Sequence, residues 1–103
     1  MERYAWRARV KEGCLDEYRR RHDRIWPEMK QVLSEAGIRN YTIFADGHEL
    51  FGYYECAQGA DFAQRVQNES EVVDRWNEYM ADILIWDADR AQPRLQEVFR
   101  FEG

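Results

Sequence analysis

His22 is the side chain of this sequence best suited to acid/base chemistry. An imidazole titrates near neutrality, so a pocket can use it to give or to take a proton. It sits on the apolar stripe of a helical pattern, four residues after Tyr18, and both side chains share a face wherever that helix is intact. Tyr18 adds a phenol, and Tyr41, on a neighbouring strand pattern, can reach the same space. Trp76 and Tyr79 recur on a second helical stripe and offer an aromatic wall. An indole face surrounded by hydroxyl and imidazole groups suits a polar small molecule with one apolar side, such as a sugar. The competing reading is ordinary: a core histidine bonded to a carbonyl, and a tryptophan packing a helix onto a sheet.

Other chemistries find less support. His48 adjoins Gly47 in a turn and is expected to be exposed, and no set of metal ligands assembles around either histidine. There is no phosphate loop, no dinucleotide fingerprint and no recognisable nucleophilic triad. No metal and no cofactor is therefore expected. Cys14 and Cys56 form no CxxC pair, which fits reduced thiols in a cytosolic protein. The formal net charge of −5 argues against a nucleic-acid partner. The one basic run, Arg19-Arg20-Arg21, is flanked by Asp16, Glu17, Asp23 and Glu28 and reads as a solvated helix face. Arg3, Arg7 and Arg9 interrupt any apolar run near the start, so neither a signal peptide nor a membrane span is expected.

The elements that must position these residues follow from periodicity. Residues 4–11 alternate, with Tyr4, Trp6, Ala8 and Val10 on one side of a strand. A helical stripe then runs over residues 15–36. Pro27 must either kink it near residues 22–26 or stop it and sit in the first turn of a new helix. Gly37 ends it. Residues 39–45 and 49–57 pair as a hairpin around Asp46-Gly47, and Gly52 marks a bulge or a close approach. Asp61 is expected to cap a short helix over 62–67, with Gln64 at the capping-box position. A second helix is predicted over 70–85, a loop over 87–93 and a final strand over 95–101. The order β-α-β-β-α-β over residues 1–103 is that of a single α+β, ferredoxin-like domain with an antiparallel sheet. Its strands would carry Tyr4, Trp6, Tyr41 and Phe99, an apolar surface that a second subunit or a ligand cavity would have to cover.

Four blocks together resemble the L-rhamnose mutarotase family: "YRRRHDRIWPE" at 18–28, "NYTIF" at 40–44, "RWNEYMADI" at 75–83 and "LQEVF" at 95–99. The likeness spans nearly the whole chain, and the block around His22 and Pro27 is its most specific part. It implies a homodimer of ferredoxin-like subunits, a dimeric α/β barrel, that interconverts the α and β anomers of L-rhamnose without a cofactor. It also implies His22 as proton donor, Tyr18 and Tyr41 as sugar-binding residues, and Trp76 as the first of a sugar-binding tryptophan pair. Position 77 departs from that pair, since Asn77 stands where a second tryptophan is common, and residues 86–93 lack the family's usual Asn-Pro-Asp-Asn-Ser-Pro run. Both departures bear on which sugar is taken. Another deoxy sugar such as L-fucose is the alternative substrate. A non-catalytic ligand-binding or haem-degrading module on the same fold is the alternative class.

Overall fold

The computed structural model describes residues 1–85 and 92–103. Strand β1 (Glu2–Val10) buries Trp6 and Val10 and exposes Arg7 and Arg9, the period-two burial expected of it. Helix α1 (Leu15–Asp23) follows, with Asp16 and Glu17 in its first turn and Arg20, Arg21 and His22 in its last. That charge order suits the helix dipole. The backbone leaves the helix at Arg24, and α2 (Pro27–Glu35) begins with Pro27 in its first turn. Of the two outcomes open to the long helical stripe, the chain adopts the stop and restart, because proline has no N–H to lose there.

Strands β2 (Ile38–Asp46) and β3 (Glu49–Cys56) form the hairpin. Helices α3 (Ala60–Asn68) and α4 (Glu71–Met80) lead to a two-residue strand, β4 (Leu84–Ile85). The sheet order is β2-β3-β1-β4, and every pairing is antiparallel. The helices cover one face, and the core lies between: Trp6, Leu50 and Tyr54 from the strands meet Met29, Trp76 and Met80 from the helices.

Four expectations need correction. The helix predicted over 70–85 ends at Met80, and its last residues become β4, whose Leu84 pairs with Val10. Ser70 caps that helix by accepting from the Val73 N–H. The helix predicted over 62–67 starts earlier and is not capped by Asp61. Instead the carboxylate of Glu2, 58 residues away in sequence, accepts the Ala60 N–H at 2.7 Å. Gln64 does not reach back to the cap and bonds the Tyr54 hydroxyl. Residues 95–101 form no strand. The tail's backbone meets the edge of β1 around Arg94, through a bridge to Trp6 and the bonds from Arg7 N–H to Pro93 O and from Leu95 N–H to Ala5 O, and farther on Glu97 pairs with Arg3 by its side chain. Beyond that point no described strand of this chain offers the tail a partner, and a strand needs one to satisfy its backbone. Of the predicted loop, residues 87–91 lie outside the described residues.

Tyr4, Trp6 and Tyr41 belong to the helix-covered core rather than to an open face. Two backbone features put them there. Gly52 stands directly opposite Trp6, and a Cβ on it would lie 2.0 Å from the indole. The glycine therefore marks a close approach, and the indole lies flat over bare backbone. The irregularity in the hairpin falls elsewhere, between Arg39 and Thr42, where Asn40 adopts φ 53°. Asparagine tolerates that left-handed conformation better than most residues. Asn40 and Tyr41 together oppose Tyr54, so the alternation shifts by one: Ile38 points inward before the bulge, and Tyr41 and Ile43 after it.

Gly52→Ala should cost about 1–3 kcal/mol, the usual penalty for overpacking a tight site. The indole would have to move off the strand. Urea unfolding of the two proteins checks this; equal midpoints and slopes would show that Trp6 does not depend on the missing Cβ.

Candidate active site

One cavity of about 550 Å³ opens between the sheet and helices α1, α2 and α4. That is within the roughly 300–1,000 Å³ typical of small-molecule pockets. Tyr18, His22, Tyr41, Trp76 and Asn77, the residues singled out from the sequence, all line it. His48 does not, and is exposed in its turn.

Helix α1 delivers Tyr18 and His22 one turn apart, with ring centroids 4.2 Å from each other. The Tyr18 side chain is buried, and its hydroxyl makes no hydrogen bond to any described residue. Burial pushes its pKa up, so the phenol stays protonated at neutral pH. His22 is half-buried, and its Nδ1 lies 3.0 Å from the Tyr18 carbonyl. A carbonyl only accepts, so Nδ1 carries the proton in this bond and Nε2 is left for chemistry. Burial lowers the imidazole pKa, against the Tyr18 carbonyl and the Asp23 carboxylate, which raise it. The resting ring is neutral at pH 7, with a basic Nε2.

The opposite walls come from the sheet and α4. Trp6 donates from Nε1 to the Tyr41 hydroxyl at 3.0 Å, so the Tyr41 proton remains to be offered elsewhere. Burial raises the Tyr41 pKa as well, although the Trp6 bond opposes this. Trp76 meets the His22 ring edge-on at 5.4 Å. Behind it stands Trp26, edge-on at 5.1 Å, with Tyr79 at 5.6 Å from both indoles. The cavity is thus polar toward Tyr18, His22, Tyr41 and Asn77 and apolar toward Trp6, Trp76, Ile43 and Met80.

Sequence reasoning placed Trp6 on a strand face but did not identify it as part of the site. Gly52 within the β3 pattern signalled a bulge or a close approach, but not that Trp6 makes it. Trp26 falls within the helical stripe expected over residues 15–36. Its extended backbone, φ −61° and ψ 140° ahead of Pro27, takes it off that stripe and against Trp76. Arg19, Asp23, Lys30 and Gln67 also line the cavity and were not singled out for it. Among the described residues no group of three His, Cys, Asp or Glu side chains is placed to hold a metal ion. No helix among them is long and apolar enough to cross a membrane.

The chain as a whole is similar to known proteins. A solved structure of an L-rhamnose mutarotase from Formosa agariphila superposes with a TM-score of 0.83 at 33% identity, covering 99% of this chain and 100% of that one. The tetracenomycin F2 cyclase of Streptomyces glaucescens superposes with a TM-score of 0.72 at 12% identity, a likeness of fold alone. The L-rhamnose mutarotase of Burkholderia ambifaria is 42% identical over 106 residues, covering 99% of this chain and all of that protein. A protein of the same name from Sinorhizobium fredii is 42% identical over 91 residues, 86% of each chain. The family model for L-rhamnose mutarotase matches residues 3–101. With that match over nearly its full length, the chain belongs to the L-rhamnose mutarotase family.

Proposed function

We propose that this protein is an isomerase that interconverts the α and β anomers of L-rhamnose, with His22 as its proton carrier. The observation that carries the reading is the His22 imidazole, bonded through Nδ1 to the Tyr18 carbonyl and lining a cavity shared with two phenols and an indole. Mutarotation breaks the C1–O5 bond, takes a proton from O1 and places one on O5. Both oxygens are bonded to C1, so one nitrogen can serve both. Nε2 takes the O1 proton and then donates it to O5 as the ring opens to the aldehyde. After rotation about C1–C2 the same steps run backward on the other carbonyl face. The imidazole ends as it began. Acid/base catalysis of this kind is worth roughly 10²–10⁴-fold, useful for a reaction that already proceeds in water.

The other residues orient the sugar. Tyr18 and Tyr41 stay protonated and donate to sugar hydroxyls. Trp76 covers the C–H side of the ring and its 6-methyl group. Asn77 gives an amide that can donate and accept. The two cysteines are free, which fits a cytosolic setting. A second copy of the chain is the proposed partner. Val98, Phe99 and Phe101 are 87%, 79% and 81% exposed. Among the described residues no strand pairs with the tail beyond Leu95, and Phe44 is exposed on β2. A two-fold homodimer would cover this surface.

Five outcomes are expected. His22→Asn should lower anomer exchange by about 10²–10⁴-fold while circular dichroism stays unchanged. In the parent protein the rate should be level near pH 7 and fall as acidification protonates Nε2, at a pH below the ordinary histidine value of about 6.5. Asp23, on α1 itself, opposes the lowering, and Arg19 and Lys30 are the other charged side chains of the cavity. NMR saturation exchange measures both; wild-type exchange in His22→Asn removes the residue from the mechanism. The same experiment on L-rhamnose, L-fucose and L-mannose should rank L-rhamnose first. Asn77→Trp should widen its lead over the more polar L-mannose, and an unchanged ranking would show that residue 77 does not read the sugar. Sedimentation velocity at micromolar concentration should give a dimer; a monomer alone would leave the tail without its proposed cover.

A further inference from the structure

Helix α1 carries the proposed proton carrier yet is weakly anchored. Tyr18 is its only buried residue, and both its ends are interrupted. Before it stands Gly13, with φ +79° and open space where a Cβ would be. After it the chain breaks at Arg24 and turns extended at Trp26. A helix held so lightly needs a tie to keep His22 at a fixed distance from the Trp76 wall, and one side chain provides it.

Arg21 belongs to a run of three arginines that reads as a solvated face, but its side chain is only 11% exposed. Its Nε donates to Glu17 within α1 at 2.8 Å. Its Nη1 donates to the Tyr79 carbonyl at 2.6 Å and to Asp82 at 2.9 Å, and its Nη2 reaches the second Asp82 oxygen at 3.3 Å. The guanidinium also lies over the Tyr79 ring, 4.5 Å from its centre. The Tyr79 carbonyl is one of the last four of α4, which have no acceptor role left inside the helix. Arg21 therefore binds the negative end of α4 with its fork and fixes the last turn of α1 against it. His22 is the next residue on one side of this tie. Trp76 and Asn77 lie within the last turn and a half of the helix on the other.

We propose that Arg21 is a positioning residue for the proton transfer: by tying α1 to the C-terminal end of α4 through Tyr79 and Asp82, it sets His22 against the sugar-binding wall. It touches no part of the cavity itself. The proposal rests on the His22 reading above.

The test uses the full chain and three variants beside His22→Asn. Arg21→Met should lower kcat for L-rhamnose exchange about 10–100-fold, the cost of a small misplacement, with KM changed far less. The His22 titration, followed by imidazole ¹⁵N shifts, should move up toward the ordinary histidine range as α1 loosens and water enters. Asp82→Asn removes a partner at an exposed position, keeps the chain folded and should change both readouts in the same direction. Arg21→Lys keeps the charge without the fork and should recover part of the rate. If Arg21→Met and Asp82→Asn lower only the melting temperature, leaving kcat and the His22 titration as in the parent, Arg21 is a structural residue and the proposal is overturned. If Arg21→Met does not fold, Asp82→Asn decides by itself. Full exchange in His22→Asn would remove the underlying reading. Its loss there, beside unaltered kinetics in the Arg21 and Asp82 variants, removes this proposal alone.

Discussion

The indole of Trp6 lies on strand β3 where a side chain is missing, and the site is assembled around that contact. The Gly52 position admits no Cβ, so Trp6 can lie against the backbone and aim Nε1 at Tyr41. An alanine there would lift the ring into the space a ligand needs. The contact also couples two strands that are not neighbours in the sheet, since β1 reaches across β3 to a residue of β2. Tyr41 can answer only because Asn40 takes a left-handed conformation and turns the following residues inward. Without the bulge the inward positions of β2 would be 38, 40, 42 and 44, and a phenol of the cavity would face the other way.

The second constraint is the break before Pro27. A continuous helix over residues 15–36 would carry Trp26 on the same side as His22, as one more residue of a single stripe. The break separates their tasks. His22 is the last residue but one of a short helix, with its Nδ1 proton committed to the carbonyl one turn back. Trp26, extended, stands behind Trp76 and keeps that indole edge-on to the imidazole. The aromatic cluster excludes water from one side of His22, and this burial is what holds the ring neutral. The same backbone irregularity thus bears on both the position of the proposed proton carrier and its charge state.

Much of this was legible in the sequence, for reasons of range. The i, i+4 spacing of Tyr18 and His22, the hairpin turn at Asp46-Gly47 and the strand alternation of β1 are local properties of the chain. They survive folding because the tertiary structure agrees with them. What escaped was set by contacts between distant residues. Glu2 replaces Asp61 as the cap of α3 because β1 begins beside Gly59. Leu84 joins a strand instead of a helix because Val10 offers it an edge. The tail alternates like a strand, but its alternation describes a pairing that no described strand of the chain supplies. Five site residues could be named from spacing and resemblance. The floor beneath them could not, because a glycine opposite a tryptophan is visible only once the register of β1 and β3 is known.

The modest chemistry explains why so light a frame suffices. Ring opening of a pyranose has no strong charge to stabilise and no poor leaving group to expel, since the ring oxygen stays attached to the sugar. The protein must hold one nitrogen near two oxygens that share a carbon and keep water from competing for its lone pair. A neutral, partly buried imidazole fixed by one carbonyl bond meets that need with little reorganisation, because the proton it takes is returned within the same event. A permanently charged imidazolium would have no lone pair to accept with, and a solvated histidine would have no fixed direction. The demand therefore falls on distance rather than on electrostatic power. In the proposed mechanism that is the quantity served by the close Trp6–Gly52 contact and by the guanidinium tie between α1 and α4.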